Sequence, residues 1–114
     1  MNSSRKAAIQ AFKERKVPRG VFAVRCSVTA SIWVDSAMDL GAMENRIWSS
    51  LRHGDAQIDK SMALEFKTNG RETFTYEILE KLDDDVLPLS LKDLLKERKL
   101  HWQAQLSAGK VWPA

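Results

Sequence analysis

Arg46 and His53 lie seven residues apart in a segment where Leu40, Met43, Ile47 and Leu51 recur at helical spacing. At 3.6 residues per turn they project within about 20° of each other, with Ser50 alongside. An arginine fork beside an apolar stripe can hold a phosphate through two parallel N–H···O bonds, whereas the same residue on a solvated flank only extends its head into water. Glu97 and His101 stand four apart next to Leu94, at the edge of a second stripe of Leu91, Leu94, Leu95, Trp102 and Leu106. A rim carboxylate suits magnesium, which takes one or two protein carboxylates and keeps several waters; it equally suits a surface pair with a neighbouring lysine. Asp35, following the apolar run Ile32-Trp33-Val34, offers a second carboxylate or an ordinary turn residue.

Several other chemistries drop out. There is one cysteine, Cys26, inside an apolar run, so it reads as a buried, inert thiol. With His53 and His101 far apart, no zinc cluster can be assembled from cysteine and histidine. The five glycines are scattered, which removes the P-loop, the dinucleotide fingerprint and the nucleophile elbow. Asp83-Asp84-Asp85 reads as a solvated acidic loop, because nothing after it has the spacing of a calcium loop.

The formal charge is only +3, but it is unevenly placed: Arg5, Lys6, Lys13, Arg15, Lys16 and Arg19 oppose the single acid Glu14. Clustered cations release counterions from a phosphate backbone, so DNA is the partner this end suggests; many solvated helices carry the same pattern. There is no apolar run long enough to span a membrane and no secretory signal at the N-terminus, so a soluble, cytoplasmic protein is expected.

The elements that must position these residues follow from periodicity. At 114 residues with 44% apolar content, one compact domain is expected. A basic N-terminal helix is predicted over 1–17, closed by Val17-Pro18. Strands are predicted at 20–26 and 31–34, joined as a hairpin by a short loop of small residues. Helices follow at about 39–53, stopped by Gly54, and at about 58–68. A third strand places Phe74, Tyr76 and Ile78 on one face, and a last helix begins at a capping-box-like Ser90 and ends at Gly109, with Trp112 packing back. The expected order is α-β-β-α-α-β-α.

These pieces resemble the GIY-YIG nuclease family over roughly Pro18 to Leu106. Gly20-Val21-Phe22 and Trp33-Val34-Asp35 fall where the family has Gly-Ile-Tyr and Tyr-Ile-Gly. Asn45-Arg46-Ile47-Trp48 resembles the segment carrying the family's arginine, Gly70 to Leu79 resembles the block leading into its third strand, and Glu97 matches its metal-binding glutamate. The resemblance implies an α+β (α/β) domain, residues 18–114, with a three-stranded, mainly antiparallel sheet flanked by helices. It also implies DNA as the partner, Arg46 on a phosphate and Glu97 on Mg2+ or Mn2+; Asp35, which stands where the family has glycine, is a second candidate ligand by its carboxylate alone. The departures fall on the chemistry. Phe22 has no hydroxyl and Trp33 has only an indole N–H, so neither can act as a phenolic base. Two readings follow: a metal-dependent endonuclease in which His53 or a metal-bound water replaces the phenols, or a catalytically inactive fold that binds DNA, a protein partner or a second copy.

Overall fold

The computed structural model describes residues 17–83 and 86–113. The expected basic helix over 1–17 therefore lies almost wholly outside the described residues, as do Arg5, Lys6, Lys13, Arg15 and Lys16, and Asp84 and Asp85 of the acidic loop. Arg19 lies within them.

The elements run β1 (Gly20–Cys26), β2 (Ile32–Ala37), α1 (Leu40–His53), α2 (Lys60–Asn69), a 3-10 turn (Arg71–Thr73), β3 (Phe74–Lys81), α3 (Pro88–Leu106) and β4 (Gly109–Lys110). The sheet has four strands rather than three, in the order β3-β1-β2-β4. Strand β1 is central and antiparallel to both β2 and β3, while β4 adds a short parallel edge to β2. The fourth strand arises because α3 ends at Leu106, and left-handed Ser107 (φ 51°) reverses the chain so that Gly109 and Lys110 pair with Trp33 and Val34. Two residues of ladder carry no periodicity, so this strand is invisible to pattern reading. Strand β2 also runs to Ala37, which draws Asp35 from the expected turn into the sheet.

Alternation along β1 gives the sheet two buried faces. Phe22, Val24 and Cys26, with Trp33 and Phe74, pack under α1 and α2 against Leu40, Ile47, Leu51 and Met62. Val21, Ala23 and Val34 pack under α3 against Trp102 and Leu106. The helix starts are set locally: the Asp39 side chain accepts from Ala42 N and that of Asp59 from Met62 N, each satisfying an orphan donor. Gly54, in the left-handed conformation, closes α1. Helix α3 begins at Pro88, in its first turn, rather than at Ser90.

Gly20 is required by close approach. A Cβ there would stand 1.9 Å from the Glu80 carbonyl oxygen, beside the register shift where β1 meets β3. Glu80 in turn ties β3 to α3, accepting from Arg98 Nε at 2.8 Å and Trp102 Nε1 at 2.9 Å. Burial alone would raise its pKa, but the Trp102 indole and the Arg98 guanidinium outweigh it and hold the carboxyl below its ordinary 4.5.

Gly20→Ala is expected to destabilise the fold by about 3 kcal/mol, because backbone cannot yield to the methyl group as a side chain would; urea denaturation checks this. A carboxyl depressed in the folded state contributes stability that is present above the unfolded pKa and lost as pH falls through the folded one. Glu80→Gln should therefore flatten the loss of stability below about pH 4.5, the ordinary value. An unchanged acid limb would remove Glu80 from that role.

Candidate functional site

The polar groups that come together do so at the outer edge of β2, just beyond the point where β4 stops pairing. Asp35 is 5% exposed, and it is held from both sides. Its Oδ1 accepts from Ser36 N at 2.9 Å, and its Oδ2 accepts from Trp112 N at 3.0 Å. Lys99, from α3, brings Nζ to 3.7 Å from Oδ1, close enough for an ion pair and too far for a hydrogen bond. The carboxylate thus pins the segment after β4 to the sheet edge and draws in an ammonium.

Trp112 is the platform for Arg46. The guanidinium carbon lies over the ring, 4.5 Å from its centroid, so the cation rests on the π face. The indole N–H of Trp112 is buried with no hydrogen-bond partner, so the ring is held by its backbone and its faces. A cleft of about 630 Å3 opens beside this edge, lined by Ser36, Met38, Leu91, Lys92, Lys96 and Lys99 among others. Ser36 and Met38 also line a hollow of about 410 Å3 that carries Arg46, Met43 and Asp39, so the two openings meet at this stretch of the sheet edge, with Arg46 on the α1 side and the lysines on the α3 side.

The remaining predicted site residues are placed differently. Phe22 is 0% exposed and stacks on Tyr76 at 5.1 Å between centroids. Trp33 is 4% exposed, stacks on Phe74 at 5.9 Å, and gives its indole N–H to Asp59. Both motif positions are core, so neither side chain faces a substrate. His53 is exposed at the end of α1, about 10.5 Å of helix rise from Arg46, while Ser50 between them is buried and donates to Asp55. Glu97 is exposed, and it lies two residues from Lys99, a rotation of about 200° around α3. Since Lys99 faces Asp35, Glu97 points away from it.

Asp35 and Glu97 therefore do not fit a shared magnesium or manganese ion: one carboxylate is enclosed and spent on two backbone N–H groups, and the other lies across the helix. Among the described residues no three His, Cys, Asp or Glu side chains are grouped to hold a metal. Asp35 also does not confront substrate with a bare negative charge, because it is enclosed and paired.

Sequence reading missed Lys92, Lys96, Lys99 and Trp112. The lysines stand at i, i+4 and i+7, one position after Leu91 and Leu95, which was a legible signal of a charged row beside an apolar one. Nothing in the sequence marked Trp112 as a support for Arg46.

The sequence matches no family model and no curated protein. Its structure is similar to a point mutant of the catalytic domain of intron endonuclease I-TevI, with a TM-score of 0.69 and 23% identity over 86% of this chain and 95% of that one. It is also similar to the catalytic domain of homing endonuclease I-TevI, with a TM-score of 0.65 and 23% identity over 78% of this chain and 88% of that one. The fold is GIY-YIG-like.

Removing the Asp35 carboxylate orphans Trp112 N and Ser36 N. Asp35→Ala is expected to cost about 2 kcal/mol in urea denaturation and to increase hydrogen exchange at Trp112 N. Unchanged exchange would show that the carboxylate does not hold this segment.

Proposed function

We propose that this chain is a nuclease-fold domain that grips the backbone of DNA and has exchanged the phenol chemistry of GIY-YIG nucleases for binding. The observation that carries the reading is the contrast between Arg46 and the two motif aromatics. Arg46 is exposed at a groove, pre-oriented on Trp112, while Phe22 and Trp33 are sealed in the core at 0% and 4% exposure.

A guanidinium stacked by its face loses little freedom on meeting an anion, because its plane is already set. Its N–H edges can meet two phosphate oxygens at once. Cutting needs more: a group to take a proton from water at the same phosphate, and general-base catalysis contributes typically 10²–10⁴-fold. Phe22 offers no proton acceptor, Trp33 offers only a donor already given to Asp59, and the single tyrosine, Tyr76, donates its hydroxyl to Leu40 O at 2.7 Å. Burial, then Glu44 and Asp39, raise the Tyr76 phenol well above its ordinary range, which keeps it protonated. The fold, known from endonuclease domains, supports DNA as the polymer engaged.

Titration of a labelled duplex should give binding that weakens steeply with salt, and Arg46→Ala should lower affinity about tenfold with urea stability unchanged. Supercoiled DNA incubated with Mg2+ or Mn2+ should stay intact. Cutting by the parent that disappears in Arg46→Ala would replace this reading with an active nuclease, and absence of duplex binding at low salt would end it.

A further inference from the structure

Resting on that reading of Arg46, we propose that Lys92, Lys96 and Lys99 form a row of cations along α3 that meets a DNA strand, so that the domain holds phosphates without a divalent metal.

The position beside Asp35 is where a cation is wanted, and Lys99 fills it. The carboxylate is buried, and its two oxygens accept backbone N–H groups from opposite sides, which leaves a negative charge to be balanced. Lys99 supplies that balance at 3.7 Å, a separation at which none of its three N–H donors is committed to a hydrogen bond with the carboxylate. Its side chain is only 27% exposed, so the stem is packed and the ammonium is held at the groove at small further entropy cost. The ammonium can therefore balance Asp35 and still donate to a phosphate oxygen.

The other two lysines extend this point into a line. The steps from Lys92 to Lys96 and from Lys96 to Lys99 are about 6 Å and 4.5 Å of helix rise, about 10.5 Å in all. Consecutive phosphates of a DNA strand are further apart than their axial rise of about 3.4 Å because the strand winds around the axis, so the row is long enough to meet two neighbouring phosphates. All three lysines line the opening on the α3 side, and Arg46 lines the neighbouring one, which shares Ser36 and Met38 with it. The acids lining the groove among the described residues are Asp93 and Asp39, so four cations face two carboxylates, and the Asp39 oxygen is occupied as the cap of α1. The positive balance and the linear arrangement suit a polyanion of regular spacing better than a small anion, which would need its donors to converge.

The test is anisotropy of a labelled duplex across a salt series, using the full chain in EDTA and again in Mg2+ at matched ionic strength. Lys92→Gln with Lys96→Gln removes two exposed charges, and its urea midpoint serves as the folding control. The slope of log K against log salt should become shallower by about 2, at roughly 0.9 per lost phosphate contact, and Mg2+ should bring no gain in affinity to the parent. A parent that binds while the folded double variant keeps the same slope would overturn the lysine row alone and leave the Arg46 reading standing. Binding that requires Mg2+ would overturn the metal-free arrangement. A parent that fails to bind at low salt would instead refute the function proposed above.

Discussion

The buried carboxylate of Asp35 organises the functional edge of this domain. Strand β4 contributes only two residues of ladder to β2, too little by itself to fix the chain that follows it. Oδ2 of Asp35 extends that attachment by holding Trp112 N, and the ring of Trp112 then becomes a fixed surface for Arg46. The same carboxylate draws the Lys99 ammonium toward the sheet edge, on a helix whose orientation is set by the packing of Leu91, Leu95, Trp102 and Leu106. Enclosing a charge is costly unless it is hydrogen-bonded and balanced, and here two backbone donors bond it and an ammonium at 3.7 Å balances it. One aspartate thus connects the segment after β4, α1 and α3.

The aromatic substitutions have the opposite consequence. A phenol at either position would need water or a hydrogen-bond partner for its oxygen. Phe22 and Trp33 have no such obligation, and the structure encloses them: Phe22 between β3 and α1, Trp33 against Phe74 with its N–H on the residue that caps α2. Their polar demands are either absent or internally satisfied, so the core closes over both rings.

Electrostatics in the domain divides along the same lines. Pairs that fasten elements together, such as Glu80 with Arg98 and Trp102, are half-buried and hydrogen-bonded at 2.8 and 2.9 Å. The cations at the sheet edge are more weakly engaged: Arg46 rests on a ring face, and Lys99 stands at long range from its partner. Groups that are positioned without being hydrogen-bonded can take up a new anion at low cost, whereas a hydrogen-bonded pair would first have to break.

Much of this was legible in the sequence because it follows from short-range rules. The helices over Leu40–His53 and Lys60–Asn69 follow from apolar spacing and from capping by Asp39, Asp59 and Gly54, and strands β1 and β3 from their apolar runs and alternation. The GIY-YIG-like fold, the burial of Cys26 and the absence of a hydroxyl at positions 22 and 33 depend on residue type and order, which a sequence states directly. Only the tertiary structure decided that Asp35 is enclosed and accepts two backbone N–H groups, and that Glu97 faces away while Lys99 faces inward. It also decided that Arg46 rests on a tryptophan 66 positions further along the chain. Those outcomes depend on which helix face meets the sheet edge and where a two-residue strand returns to it. Contacts between residues so distant in sequence leave no local period to read.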